Sequence, residues 1–407
     1  MLKVLGAFGA ALSLAICATP AAAQEWTPFK ITGLYRSVTA ASNEGLPRLS
    51  TDALVAAIST SDPEAIDAAA NDLALRLARM HLLGAAGQSE RRGWHIVDTD
   101  ARLPLEEMLA TAVRQNRLSI FYAGLRPKAR EYALLRSAYA AETDPERRET
   151  IARNMERWRW LPRDLGDTYV FVNAARFEAD LYREGEHVGT WRVIVGTTRT
   201  PTPVFQATIE GVVLNPWWEV PASIARESVA ALVRNNPATA RARGYVYENG
   251  RYRQRPGPNN ALGQMKLVMP NPYSVYMHDT PNRDLFDREV RSFSHGCIRT
   301  GDAIGYATTL LEGVATREEV DAILATGQTR TLSIAEPMPV YITYFTAVSD
   351  GMGGVAILDD IYNRDRNIRV SARGGQGGPA ARAALAAWPL LDSASASPQN
   401  PDGDCGS

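Results

Sequence analysis

The sequence predicts an α+β fold in which a helical N-terminal part precedes a mainly β C-terminal part. Between about residues 49 and 160, apolar residues recur at the spacing of amphipathic helices. From Leu161-Pro162 onward the pattern changes to short apolar or alternating runs separated by Gly, Pro and Asn, which is typical of strands. The length of 407 residues leaves room for two such domains.

The clearest helix signals lie in the N-terminal part. Ser61 and Glu64 predict a capping box, and the helix that follows can end at Gly84. Asp144-Pro145-Glu146 predicts a second helix start that leads to Trp158. Shorter helices are predicted over 104–113 and 129–139, and we expect a scaffold domain over 49–160.

The C-terminal part contains most of the predicted strands, with two helices among them. The strands are predicted over 168–173, 177–182, 188–195, 212–214, 265–269, 274–277, 340–346 and 354–358. The helices are predicted near 224–233 and 304–311. No Gly-rich phosphate-binding loop follows any of these strands.

The two ends of the chain differ from the middle. Residues 1–23 have the charged start, the apolar run and the Ala21-Ala22-Ala23 site of a cleaved secretory signal peptide, so we expect export. Residues 24–48 are predicted to be a linker, and the Gly-, Ala- and Ser-rich residues 370–407 a disordered tail. The sequence has no second long apolar segment, so no membrane span is predicted. The 44 Lys and Arg balance 45 Asp and Glu, which argues against a nucleic-acid partner.

The stretch R-S-F-S-H-G-C-I-R, residues 291 to 299, contains one of the three cysteines. The signal peptide would remove Cys17, and Cys405 lies in the predicted tail, so a core disulfide is not expected. An exported protein that keeps an unpaired cysteine in a Ser-His-Gly-Cys setting suggests a nucleophile, since the thiolate is the reactive form.

Two histidines compete to be the base for Cys297. His278 stands at the end of a predicted strand, and a separate segment can lay its ring against the sulfur. His295 shares a tight turn with Cys297 and can more easily line the site, while Gly296 allows a substrate carbonyl to approach backbone N–H groups. An inert buried thiol is the simplest alternative. A zinc site built on these residues lacks a fourth ligand, so no metal is predicted.

The residues around this stretch resemble a known family. His278 followed by Ser294-His295-Gly296-Cys297-Ile298-Arg299 resembles the signature of the L,D-transpeptidase (YkuD-like) catalytic domain. The resemblance runs from about 49 to 367 and extends to the long Gram-negative branch with a helical scaffold domain, although the peptidoglycan-binding insert of longer members is missing. Further segments that resemble this branch are 154–163, 202–205, 215–221, 271–281 and 339–344.

The resemblance implies roles for individual residues in a catalytic domain over 161–369. Cys297 would be the nucleophile and His278 the general base and acid, oriented by the backbone carbonyl of Asp279. Gly296, Cys297 and His295 would form the oxyanion site. Candidates for substrate contact are Arg299, Ser294, Tyr276 and Trp218, although core packing explains Trp218 equally well. A capping subdomain is expected over about 222–262, and no cofactor is implied.

The implied function is a periplasmic peptidoglycan L,D-transpeptidase. It would attack the third-residue carbonyl of a tetrapeptide stem, release D-Ala and transfer the acyl group to an acceptor amine, and carbapenems would acylate it. The partners would be stem peptides, with an envelope protein as a further candidate acceptor. An L,D-carboxypeptidase, a wall-link hydrolase and a non-catalytic wall-binding scaffold are the alternatives, whereas a sortase-like enzyme disagrees with the Ser-His-Gly context.

Overall fold

The structure is a computed structural model that describes residues 25–370. The predicted signal peptide, Cys17, Cys405 and nearly all of the predicted tail lie outside the described residues. Within 25–370, no helix is both long enough and apolar enough to cross a membrane. The N-terminal part consists of helices α1 Pro28–Ala40, α2 Asp52–Thr60, α3 Pro63–Leu83, α4 Leu105–Arg114, α5 Leu118–Gly124, α6 Arg130–Ala141 and α7 Pro145–Trp158, with the short strand β1 Trp94–His95 after α3.

Strands dominate the C-terminal part. They are β2 Tyr169–Asn173, β3 Glu178–Arg183, β4 Glu186–Gly196, β5 Val204–Leu214, β6 Trp218–Glu219, β7 Tyr245–Glu248, β8 Arg251–Gln254, β9 Met265–Val268, β10 Met277–His278, β11 Ser292–Ser294, β12 Ile298–Thr300, β13 Arg330–Thr343, β14 Ala347–Ser349 and β15 Val355–Ile357. The helices among them are α8 Ala222–Ile224, α9 Ala230–Asn235, α10 Pro237–Ala242, α11 Ala303–Leu310 and α12 Arg317–Ala325, and a π-helical segment, Ala225–Val229, joins α8 to α9.

The main sheet closes on itself. Its strand order is β5, β13, β2, β3, β4, β12, β10 and β9, and β9 pairs back with β5. Closure leaves the strands of this ring without free edges. Outside the ring, the short strands β1 and β11 pair with β5 and β4. A separate three-stranded sheet of β6, β8 and β7 follows β5, and together with α8 to α10 it forms the segment that we call the cap (218–254).

The described residues contain two hydrophobic cores. Helices α1 to α5 share one core, which extends from Trp26 to Leu125. Helices α6 and α7 instead contribute to the core of the closed sheet, where Trp158 stacks on Phe171 and Phe345. The chain passes from one core to the other near residue 125, whereas the predicted scaffold domain ends at 160. The difference arises because the apolar faces of α6 and α7 are buried against strands.

The predicted fold class, α+β with a helical part before a β-rich part, is confirmed. Two local predictions are wrong. The predicted linker 24–48 contains α1, whose apolar face is buried with Trp26 in the N-terminal core. The N-cap of α3 is Asp62, whose carboxylate accepts from the backbone of Glu64, whereas Ser61 is the left-handed residue that ends α2.

A buried carboxylate joins the end of α3 to α7. Glu156 Oε1 accepts hydrogen bonds from the backbone N–H groups of Ala85 and Ala86 at 2.7 and 2.8 Å and from the indole N–H of Trp160 at 3.0 Å. Its other oxygen lies 3.2 Å from the guanidinium of Arg159, which is completely buried. Because an unpaired buried charge is costly, this ion pair makes the junction sensitive to substitution.

We expect Glu156→Gln to lower the free energy of unfolding by about 3 kcal/mol, since it leaves the Arg159 guanidinium buried without its carboxylate. Urea unfolding followed by circular dichroism measures the change. Glu146→Gln removes the same charge from an exposed position in the first turn of α7 and should cost no more than about 1 kcal/mol. Equal losses in the two variants would contradict the assignment.

Candidate active site

The strand register collects the candidate catalytic residues on one face of the sheet. β10 lies between β9 and β12, and His278 is opposite Lys266 on one side and Arg299 on the other. Paired residues share a face and neighbours in a strand alternate, so Tyr276 and Cys297 lie on the same side as His278. The opposite face is the core, where Met265, Leu267, Met277 and Ile298 are fully buried.

His278 is held in one orientation by its neighbour. Its Nδ1 donates to the backbone carbonyl of Asp279 over 2.5 Å, which leaves Nε2 as the acceptor. The pKa of His278 is lowered to about 4, chiefly by burial. The hydrogen bond to Asp279 opposes this shift, and the charges of Arg299 and Lys266 contribute to it. The imidazole is therefore neutral at neutral pH and can accept a proton.

Asp279 contributes through its carboxylate as well as its carbonyl. The carboxylate is buried, accepts hydrogen bonds from the backbone of Gln264 at 2.8 Å and Thr280 at 2.7 Å, and pairs with Arg283 at 2.7 Å. Burial raises the pKa of Asp279, and these partners oppose that shift. The contacts fix the strand ends of β9 and β10 and thereby the carbonyl that orients His278.

The thiol of Cys297 is half-buried and unpaired. Its Sγ donates weakly to the carbonyl of Ser274 over 3.9 Å. Burial raises the pKa of Cys297, while a hydrogen bond from the Tyr276 backbone and the charges of Lys266 and Arg299 lower it. In the resting state of the site both the thiol and the imidazole are therefore neutral, since the pKa of His278 is lowered and that of Cys297 is raised.

The structure corrects two predicted roles in the turn before Cys297. Ser294 is buried, its hydroxyl donates to the carbonyl of Cys297, and it accepts from the N–H of Gly296 at 3.1 Å. Ser294 therefore braces the turn and has no free face for substrate. The same bond occupies the Gly296 N–H, so the backbone N–H of Cys297 remains as the candidate oxyanion donor. Gly296 itself has φ of +111°, a conformation that side chains rarely adopt.

A loop after β4 anchors this turn from behind. The hydroxyl of Thr202 donates to the Gly296 carbonyl at 2.9 Å and accepts from the N–H of Gly196 at 2.9 Å. The hydroxyls of Ser292 and Tyr362 both reach the Gly196 carbonyl at 2.6 Å. A Cβ at Gly196 would lie 2.1 Å from the carbonyl oxygen of Thr200, so only glycine fits there. Motif-based reasoning did not single out these residues, although 202–205 belongs to a segment that resembles the family.

The cap contacts the turn through a hydrogen bond between His295 and Glu227. His295 Nε2 lies 3.1 Å from the carboxylate of Glu227, which projects from the π-helical segment of the cap. π-helical turns occur frequently at functional sites. His295 therefore contacts the cap, with its Nε2 engaged by Glu227. Trp218 lies in the cap sheet, where its ring centroid is 6.4 Å from that of Tyr245.

Lys266 is the site residue that sequence reasoning missed. Its ammonium lies 3.8 Å from the ring centroid of Tyr276, a cation–π contact. The signal was available in Met265-Lys-Leu-Val-Met269, where a single charge interrupts an otherwise apolar strand. Its position opposite His278 depends on strand register, which the sequence pattern does not reveal.

The candidate catalytic residues do not line the cavity between α6 and the sheet. One cavity of about 650 Å³ lies between α6 and strands β2 and β3, lined by residues such as Tyr169, Asp180 and Tyr182, and it does not reach Cys297. Within residues 25–370, no group of His, Cys, Asp and Glu has the arrangement of a metal site. The arrangement of nucleophile, base and cations therefore identifies the site, and it suits acyl transfer through a thioester.

Comparison with known proteins agrees with this chemistry. Residues 167–323 match the model of the YkuD family, described as the L,D-transpeptidase catalytic domain. This part of the chain is therefore similar to a YkuD domain. A putative L,D-transpeptidase from Haemophilus influenzae is 31% identical over 245 residues, which cover 55% of this chain and 49% of that protein. The chain thus spans about half the length of this curated relative.

Solved structures of L,D-transpeptidases show weaker overall similarity. The catalytic domain of an Enterococcus faecium L,D-transpeptidase acylated by ertapenem is 13% identical with a TM-score of 0.24, covering 44% of this chain and 98% of that one. L,D-transpeptidase 3 from Mycobacterium tuberculosis is 13% identical with a TM-score of 0.24, covering 44% and 61%. The assignment of the YkuD domain therefore rests on the family match and the site residues.

The contact between the cap and the turn before Cys297 is testable. Glu227→Ala removes the partner of His295, so we expect amide hydrogen exchange in 222–235 to accelerate about two- to fivefold, as the loss of an exposed ion pair implies. Ser228→Ala is the matched control, because Ser228 is exposed on the same segment and bonds within its own helical turn. Unchanged exchange in Glu227→Ala would show that the pair does not hold the cap.

Proposed function

We propose that this protein is a peptidoglycan L,D-transpeptidase that works through a Cys297 thioester. The observation that carries the proposal is the shared face of Cys297, His278 and Arg299, with His278 fixed by the Asp279 carbonyl. The YkuD match over 167–323 supports the choice of stem peptides as substrates. Arg299 supplies a planar fork of donors suited to a peptide carbonyl or carboxylate.

In the proposed acylation, the Cys297 sulfur attacks the carbonyl of the third residue of a tetrapeptide stem. The thiol proton moves to Nε2 of His278, and the resulting thiolate forms the carbon–sulfur bond. The tetrahedral intermediate collapses, the bond to the terminal D-Ala breaks, and the D-Ala nitrogen takes the proton from His278. The Cys297 N–H would stabilise the developing oxyanion. An acceptor amine then attacks the thioester while His278 accepts its proton. The carbon–sulfur bond breaks, and the departing sulfur takes the proton from His278, which regenerates the thiol and the neutral imidazole.

The cap favours transfer over hydrolysis in this proposal. Glu227 reaches the turn beside the nucleophile, so the cap lies over the region where an acyl group would form. Exclusion of water lengthens the life of a reactive thioester and lets an amine compete. A more open site would instead favour a carboxypeptidase or a hydrolase of wall links.

The proposal extends to location and partners. Residues 1–23 resemble a signal peptide, and export to the periplasm would bring the enzyme to its wall substrate. An envelope protein with a free amine could serve as acceptor in place of a second stem. The Enterococcus faecium catalytic domain is acylated by ertapenem. In the proposed mechanism, we expect carbapenems to acylate Cys297 as well.

Incubation of the purified protein with disaccharide-tetrapeptide tests the activity. We expect cross-linked dimers and released D-Ala in the product mass spectrum, and Cys297→Ala should reduce both by at least a thousandfold because it removes the nucleophile. If tripeptide monomer were the sole product, the protein would be a carboxypeptidase and the transferase proposal would be wrong. Full activity in Cys297→Ala would contradict the mechanism altogether.

The depressed pKa of His278 predicts the acid limit of acylation. The base must be neutral, so the second-order rate of acylation by imipenem should fall as pH drops through about 4, instead of through the ordinary histidine value of 6.5. Intact mass spectrometry at each pH measures this rate, and near-UV circular dichroism verifies folding. His295→Gln is the control and should leave the limit unchanged. A limit near 6.5 would contradict a buried neutral base.

A further inference from the structure

Lys266 occupies a central position on the catalytic face. It lies in the middle of β9, opposite His278 on β10 and Val213 on β5. Its neighbours Met265 and Leu267 point into the core and are fully buried, so the Lys266 side chain emerges on the side of Cys297. Lys266 is half-buried, and removing its ammonium from water is costly unless another group stabilises the charge.

The partner of the ammonium is an aromatic face. Nζ lies 3.8 Å from the ring centroid of Tyr276, and no carboxylate of residues 25–370 forms an ion pair with it within 4.0 Å. A cation–π contact fixes the position of a charge without neutralising it, as a salt bridge would. The contact therefore keeps a full positive charge available to other groups on this face.

The groups that surround Cys297 define what this charge can do. His278 on β10, Arg299 on β12 and Lys266 on β9 share the face, and Glu219 on β6 acts on Lys266 from the cap. Burial raises the pKa of Cys297, the Tyr276 backbone opposes it, and Lys266 lowers it ahead of Arg299. Conversely, burial lowers the pKa of Lys266 and the Cys297 charge raises it. The two groups thus interact electrostatically.

We propose that Lys266 is the positioning residue that stabilises the thiolate of Cys297, with its ammonium held by the ring of Tyr276. The proton leaves the sulfur for Nε2 of His278, and the negative charge that remains on sulfur faces the ammonium. This role rests on the proposed function insofar as Cys297 is the nucleophile. It assigns Tyr276 a task as well, since the ring keeps the ammonium from turning toward solvent.

Alkylation of Cys297 by iodoacetamide tests the proposal without any wall substrate, because only the thiolate reacts. We expect Lys266→Met to slow alkylation at neutral pH roughly tenfold and to move the rate profile to higher pH, as the loss of one nearby opposite charge implies. Lys266→Arg should stay within about twofold, because it keeps the charge. Tyr276→Leu should slow alkylation by an intermediate factor, since the ammonium loses its support.

Lys128→Met is the matched control. It removes the same charge from an exposed lysine that pairs with Asp164, on the side of α6, and should leave alkylation unchanged. Equal slowing in Lys266→Met and Lys266→Arg would overturn the proposal in favour of a packing role. Slowing in the control would overturn it in favour of a net-charge effect. An inactive wild-type protein with a shifted alkylation profile in Lys266→Met would refute the transpeptidase proposal and leave this one standing.

Discussion

The register of β10 between β9 and β12 is the constraint on which the rest of the site depends. A slip of one residue would turn Met277 toward the substrate and bury His278 in the core. The four fully buried side chains on the opposite face, Met265, Leu267, Met277 and Ile298, make such a slip costly. The apolar core therefore positions the catalytic residues, and the closed ring of strands prevents β9 and β10 from shifting independently.

Two cations on either side of His278 have opposite effects on the pKa values of the proposed base, His278, and the proposed nucleophile, Cys297. Arg299 and Lys266 make an imidazolium less stable and a thiolate more stable. A base of depressed pKa is weak, but its conjugate acid is correspondingly strong and would pass the proton readily to a leaving amine. The site thus suits a reaction in which protonation of the leaving group matters as much as activation of the thiol.

A short motif and its spacing were enough to propose Cys297 as nucleophile and His278 as base, and the expected contact of His278 with the Asp279 carbonyl is present in the structure. Lys266 was not, because its relation to His278 arises from pairing between strands. The predicted substrate contact of Ser294 failed for a related reason, since the sequence does not reveal that its hydroxyl closes the turn. Helix α1 was missed because its apolar face is short and lies beyond the clear periodic stretch.

The contacts of helix α7 show that the strands alone do not maintain the geometry of the candidate site. Trp158 stacks on Phe345 with ring centroids 4.8 Å apart, and Asn154 exchanges two hydrogen bonds of 2.8 Å with Thr346. Arg157 is buried and pairs with Asp365 at 2.6 Å. A catalytic unit that began at residue 161 would lose these contacts, and Asp365 would keep its hydrogen bond from Thr346 but lose its guanidinium partner. The smallest unit able to keep the sheet closed and packed therefore includes α7, and the core continuity of Tyr132 and Tyr139 extends it to α6.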